Sequence, residues 1–235
     1  MTSPTNEGVA ALLHERGRAT WEAAYAHPMI GEIGEGTIAP ATFRFYFEQN
    51  VMYLEEYARA LALLASRVPD AAAMSVMLDF VGQIVRREIP ANLGFLERLG
   101  GTRPTDPLTQ MTVVNYGYTR HLLHAASQAT VPAGLSAVLP CQWSYAEIAT
   151  RLAPQAPRDP LCAEWVAMFA NPAYDALVDA SVDLLNRLAS HDGVGVPELA
   201  PYFDRSSHYE LAFWQMAYTR GADDSAPSTP TRTEQ

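Results

Sequence analysis

The chain has only two cysteines among its 235 residues, Cys141 and Cys162. Two thiols in a chain this long do not make a disulfide framework, which fits a reducing compartment. No run of basic residues is present, and 16 basic residues stand against 26 acidic ones for a net charge of -10. Phosphate binding needs a clustered basic surface, so a nucleic-acid partner is not expected. Met1 to Gly8 is polar and lacks the apolar segment of a signal peptide. No apolar run approaches the roughly 20 residues that span a bilayer. These absences point to a cytoplasmic protein with neither membrane nor nucleic acid as partner. G-x-G-x-x-G and G-x-x-x-x-G-K-[ST] are also missing, so nucleotide-binding fingerprints are excluded. Gly31-Glu32-Ile33-Gly34-Glu35-Gly36 is only superficially a glycine-rich loop, because its two carboxylates would repel phosphate. The six histidines, at 14, 27, 121, 124, 191 and 208, never follow a Glu at i−3. The spacing that holds iron inside a helical bundle is therefore absent, and neither a metal nor a cofactor is expected.

What is present is an ordinary globular composition, 49% apolar and 18% charged. Its length is ample for a sizeable core. Strand-like runs of β-branched residues are scarce. Segments rich in Ala, Leu, Glu and Arg alternate with short Pro/Gly clusters, so the fold class is all-α. The pattern predicts about seven helices, at roughly 8–26, 40–67, 70–99, 108–129, 132–152, 160–190 and 197–219. Pro40 can open a helix where a missing N–H costs nothing. Asp70 can cap the next helix, and Gly100-Gly101 can end it. Pro172 predicts a kink or break within the sixth. Residues 1–7 read as a flexible N-terminus, 8–220 as one domain and the Ser/Thr/Pro-rich stretch 221–235 as a disordered tail.

On the second helix Phe43, Phe47, Asn50, Leu54, Tyr57, Leu61 and Leu64 repeat at 4-3 spacing and share one face. Asn50 interrupts this apolar stripe, with Tyr46 and Tyr53 on neighbouring rows. It is either a core amide bonded to another helix or a polar group lining an aromatic pocket. Cys141 lies in Leu-Pro-Cys-Gln-Trp-Ser-Tyr, with Tyr145 one turn on. Pro140 either opens a helix, which puts the thiol at the positive end of a dipole, or kinks a longer one. A buried Cys is also an ordinary core filler. Glu210 shares a mostly apolar face with Ser206, Phe213, Trp214 and Ala217. Such a carboxyl either pairs with a cation, Arg205 or Arg220, or has its pKa raised until it can serve as a general acid. Tyr118 and His121, with Tyr116 nearby, supply a flat surface and hydroxyls that suit either a pocket wall or helix packing. Cys162, at a loop-to-helix junction, reads as structural.

Taken in order, these segments resemble one family. His27-Pro28 with Gly31, Ile33-Gly34 and Gly36-Thr37 look like the HPF-x-x-x-I-x-x-GT segment of TenA-type thiaminase II, the aminopyrimidine aminohydrolases. Phe43-x-x-Tyr46-x-x-Gln49-Asn50-x-x-Tyr53-Leu54 is similar to that family's QD-x-x-YL helix. Glu88 falls where a family Glu stands. Tyr116-x-Tyr118-x-x-His121, Leu139-Pro140-Cys141-x-Trp143-x-Tyr145 and Tyr209-Glu210-x-x-Phe213-Trp214-x-Met216-Ala217 match three further motifs. The resemblance implies a haem-oxygenase-like helical bundle that needs no haem, a homotetramer, and hydrolysis at the methylene carbon of an aminopyrimidine in thiamine salvage or degradation. It assigns Cys141 as nucleophile and Glu210 as the group that protonates and deprotonates a ring nitrogen. Tyr53, Tyr118 and Tyr145 would cradle the ring, with Phe213 as an apolar wall and Asn50 and Phe169 lining the site. Two positions depart from the family pattern: Asn50 replaces an Asp and Phe169 replaces a Tyr. Each removes a polar contact while leaving nucleophile and acid in place. These departures motivate two alternatives, a non-catalytic aminopyrimidine- or thiamine-binding homologue and the same pocket turned to another heteroaromatic substrate.

Overall fold

The computed structural model describes residues 8–222. Among these the secondary structure is helical throughout, with no strand, as the composition requires. Helix α1 (Val9–Tyr25) is followed by α2 (Pro28–Glu35) and the long α3 (Pro40–Ala65). Next come α4 (Ala71–Gln83), a single π-helical turn (Ile84–Glu88) and α5 (Ile89–Arg98). A short α6 (Pro107–Gln110) precedes α7 (Val113–Gln128) and α8 (Val131–Leu152). The chain ends with α9 (Pro160–Phe169), α10 (Pro172–Asp192) and α11 (Val196–Thr219).

Helix α3 runs through the middle of the molecule, against α7 on one side and α4 and α5 on the other. Every member of its 4-3 stripe is buried, and so are Tyr46 and Tyr53 on the flanking rows. A helix buried over so much of its circumference needs neighbours all round. Helix α8 packs on α7, α10 and α11, and α1 closes over α11. Aromatic rings fill the centre. Tyr46 stacks on Trp214 at 5.5 Å, and the Trp165 indole N–H donates to the Tyr46 hydroxyl at 3.3 Å.

The structure changes the expected segmentation in three places. Residues 28–35, expected as connection, form α2. His27 Nδ1 accepts from the Met29 N–H, Pro28 stands in the first turn, and Gly36 ends the helix at φ 70°. A Cβ there would also meet the Asp159 amide nitrogen at 2.6 Å, so Gly is required twice over. The expected helix 70–99 is interrupted by the π turn. Pro90 has no N–H to give to the carbonyl four residues back, and a widened turn absorbs the lost bond. The expected helix 108–129 splits at Thr112, whose hydroxyl caps α7 by accepting from the Asn115 N–H at 3.2 Å. The helix expected at 160–190 breaks before Pro172, as that proline predicted, with Asn171 capping α10 by accepting from the Tyr174 N–H at 3.0 Å.

Pro140 lies inside α8 and does not open it. Asp70 caps α4 as expected, accepting from the Ala73 N–H at 2.7 Å. The expected flexible segment 1–7 lies outside the described residues, as does the expected tail beyond 222. The first residue of that tail, Gly221, is described: at φ 74° it donates to the Met216 carbonyl at 2.9 Å and finishes α11. No helix among the described residues is long and apolar enough to cross a membrane.

Candidate active site

Helices α3, α4, α8, α9 and α10 and the π turn meet around a narrow cavity. It is lined by Asn50, Leu54, Tyr57, Phe80, Ile84, Glu88, Cys141, Tyr145, Phe169 and Tyr174. Its free volume is about 10 Å³, room for roughly one water. A flat ring must therefore part these side chains to enter.

Cys141 forms part of the wall, 8% exposed, in the middle of α8. Of the two readings of Pro140, the one that puts the thiol at a helix N-terminus does not apply, because that terminus lies at Thr130, three turns away. Burial instead pushes the thiol well above its ordinary pKa, and the nearby carboxyl of Glu210 pushes it further. The Tyr53 hydroxyl works the other way, favouring the thiolate. That hydroxyl is buried with no hydrogen-bond partner of good geometry among the described residues, and the thiol and the Tyr118 hydroxyl are polar groups near it. Activation of this sulfur must come from a base.

Glu210 is the base at hand. It is 5% exposed on α11 and pairs with neither Arg205 nor Arg220; its Oε1 accepts from the Tyr118 hydroxyl at 2.6 Å. Burial raises its pKa to about 7, against the opposing pull of Tyr118 and of the Cys141 thiol. A carboxyl poised there exchanges protons readily at neutral pH. Glu210 is not among the cavity-lining residues. Tyr53, Tyr118 and Phe213 pack around it: the Tyr53 ring lies 5.0 Å from Tyr118 and 5.6 Å from Phe213.

The eight residues marked out by the sequence thus fall into two groups joined at the sulfur. Asn50, Tyr145 and Phe169 line the cavity with Cys141; Tyr53, Tyr118, Glu210 and Phe213 pack against one another next to the thiol. Both readings of Asn50 hold together. Its Nδ2 donates to Asn92 Oδ1 on α5 at 3.0 Å while the residue faces the cavity. Phe169 touches Tyr145 at 5.1 Å and Tyr174 at 5.2 Å edge to face, so the walls keep their rings where a hydroxyl is missing. Tyr116 is half-exposed under Arg120 and belongs to the surface. His121 bonds Ser206 at 3.2 Å, away from the cavity, and burial lowers its pKa to about 4. Cys162 is fully buried and lines no part of the cavity.

Sequence reasoning left Phe80, Ile84 and Tyr174 out of the site and gave Glu88 no role. The available signal was Pro90. It implies a disturbed helix just where Ile84 and Glu88, one turn apart, both turn inward. Among the described residues no group of three or more His, Cys, Asp or Glu side chains could hold a metal ion.

This arrangement can be set beside known proteins. The aminopyrimidine aminohydrolase of Halalkalibacterium halodurans is 31% identical over 214 residues, 89% of this chain and 95% of that protein. Among solved structures, a TenA homologue from P. horikoshii OT3 superposes with a TM-score of 0.80 at 27% identity, covering 90% of this chain and 99% of that one. A haem-oxygenase-like domain of unknown function from Shewanella denitrificans OS217 gives 0.62 at 12% identity, over 92% and 97% of the two chains. The fold is thus the haem-oxygenase-like bundle. A sequence model described as the TENA/THI-4/PQQC family matches residues 14–220. With that match spanning nearly all of the helical body, the chain belongs to the TENA/THI-4/PQQC family.

Proposed function

We propose that the protein is a cysteine-dependent hydrolase acting at the methylene carbon of an aminopyrimidine. It would convert an aminomethyl pyrimidine, or thiamine, to the hydroxymethyl pyrimidine in thiamine salvage. The relatives carrying the name aminopyrimidine aminohydrolase support this reading. The observation that carries it is the Cys141 thiol in the cavity wall with the Glu210 carboxyl against it and Tyr118 fixing that carboxyl at 2.6 Å.

The chemistry follows from this placement. Ionised Glu210 takes the thiol proton, and the thiolate adds to a ring carbon while a ring nitrogen gains a proton. The broken aromaticity lets the amine, or the thiazole, leave the methylene carbon. Water adds at that carbon, the ring nitrogen gives up its proton, and the thiolate departs, leaving product. Covalent catalysis of this kind splits one hard displacement into two easier ones. Tyr145 and Phe169 offer ring faces and edges to the pyrimidine, and Asn50 keeps its Oδ1 for an exocyclic amine. Because the walls must part to admit the ring, they close on it afterwards and exclude bulk water.

Cytoplasmic location and assembly as a homotetramer belong to the same proposal. Exposed Leu63, Met74, Leu78 and Val85 on α3, α4 and the π turn give apolar surface for such contacts. The test is to supply aminomethyl pyrimidine and thiamine separately and follow ammonia, thiazole and hydroxymethyl pyrimidine. Turnover of either supports the proposal and ranks the leaving groups. Turnover of neither by folded protein rejects it.

A further inference from the structure

Glu88 is a second buried carboxyl in this site, lining the same cavity as Cys141. It is 5% exposed, it lines the cavity, and its Oε1 is buried with no hydrogen-bond partner among the described residues. Gln83, one turn earlier, favours the ionised form. No Arg, Lys or His lines the cavity. A carboxylate taken out of water without a counter-ion is costly, so in the empty site Glu88 holds a proton or waits for a cationic partner. Burial accordingly raises its pKa to about 7. The segment that presents it is the π turn, a backbone form less stable than the α-helix on either side and frequent at functional sites. With that turn both Ile84 and Glu88 are buried at the cavity.

Resting on the hydrolase reading above, we propose that Glu88 is a substrate-binding residue that receives the protonated amidine edge of the aminopyrimidine, ring N–H and exocyclic amine together. The neutral Asn50 then serves as a hydrogen-bond acceptor only. The two carboxyls flanking the thiol divide the work. Glu210 handles the sulfur's proton, and Glu88 holds the ring in the cationic form that accepts a thiolate. A planar carboxylate matches a planar amidinium by two parallel hydrogen bonds, as it does a guanidinium. The neutral side chains around Glu88 leave that pair unscreened: Gln83 on α4, Asn50 and Tyr57 on α3, Cys141 and Tyr145 on α8 and Tyr174 on α10. Glu210 on α11 interacts with the thiol.

The pairing makes a signed prediction. Free Glu88 is about half protonated near pH 7, and its own proton can pass to a neutral ligand. As pH rises from 6 to 8 the carboxyl has already lost that proton, so binding must take one up from solvent. Net uptake should therefore grow across this range. The measurement is calorimetric binding of hydroxymethyl aminopyrimidine in buffers of different ionisation enthalpy, on wild type, Glu88→Gln, Glu210→Gln and Glu88→Gln/Asn50→Asp.

Wild type and Glu210→Gln should show rising uptake. Glu88→Gln should lose it and bind at least about tenfold more weakly, the order expected for losing a charge-assisted pair. Moving the carboxylate to position 50 in the double variant should restore much of both. Alkylation of Cys141 by iodoacetamide at a near-native rate shows that the variant site is folded. Wild-type binding without uptake between pH 6 and 8 would overturn the proposal even if Glu88→Gln did not fold. Unchanged affinity and uptake in folded Glu88→Gln would also overturn it. Both results leave the hydrolase reading standing, which fails separately if wild type neither binds nor turns over the pyrimidine.

Discussion

Replacing Tyr118 by Phe removes one hydroxyl and leaves the ring in place. That hydroxyl donates to Glu210 Oε1 at 2.6 Å in a buried setting. A hydrogen bond to a charged group contributes about 1.5–3 kcal/mol. One pKa unit corresponds to about 1.4 kcal/mol, so the Glu210 carboxyl should rise by about one to two units from its present value of about 7. Ionised Glu210 is the form that takes the thiol proton. The acidic limb of the kcat/KM–pH profile should therefore move up by the same amount. At pH 7 the ionised fraction falls about 5- to 50-fold, and at pH 9 the deficit shrinks to about twofold or less. The assay is hydroxymethyl pyrimidine formation at limiting substrate between pH 5.5 and 9.5. A loss of equal size at every pH, with the limb unmoved, would refute the reasoning and reduce Tyr118 to a ring that packs.

Two further outcomes follow from the buried polar groups. Glu88 and Glu210 both bind protons more tightly in the folded chain, near pH 7 against an ordinary 4.5. A raised carboxyl favours folding while protonated in both states and loses that advantage as pH rises from the unfolded pKa through the folded one. Stability should fall between pH 5 and 8 by up to roughly 3 kcal/mol for each group. Urea unfolding at the two pH values should show a smaller fall in Glu88→Gln; an equal fall would show that Glu88 does not contribute. The Tyr53 hydroxyl satisfies no partner in the resting protein. Tyr53→Phe should therefore leave stability within about 1 kcal/mol or raise it. It should also slow alkylation of Cys141 at pH 7–8, since this hydroxyl favours the thiolate. A clear loss of stability with unchanged thiol reactivity would contradict that role.

How much of this was legible in the sequence depends on the physical level asked about. The 4-3 spacing on α3 located the central helix, and each of its stripe residues is buried. The apolar face around Glu210 and the usual burial of a free Cys pointed Glu210 and Cys141 inward, and both are buried. Segmentation was harder. Pro90 disturbs a helix without ending it, and eight residues between Pro28 and Glu35 offer too few turns for a periodic signal. Pro140 posed a choice that local rules could not settle. A proline opens a helix freely but is tolerated inside one when tertiary packing offsets the lost bond, and α8 is buried on nearly every side around it.

The site's polarity lay deepest. Helical faces tell which side chains point inward. They do not tell where inward-pointing side chains leave space. That is why Glu88 was given no role although it lines the cavity.

The chemistry stands or falls on the sulfur of Cys141, and one measurement addresses it directly. Wild type and Cys141→Ser are incubated side by side with aminomethyl aminopyrimidine, and hydroxymethyl product is quantified by mass spectrometry. Serine keeps the shape of the wall and leaves a far weaker nucleophile. Product from wild type, with a loss of about a thousandfold or more in folded Cys141→Ser, is the predicted result. Comparable product from both proteins would contradict covalent catalysis by this thiol.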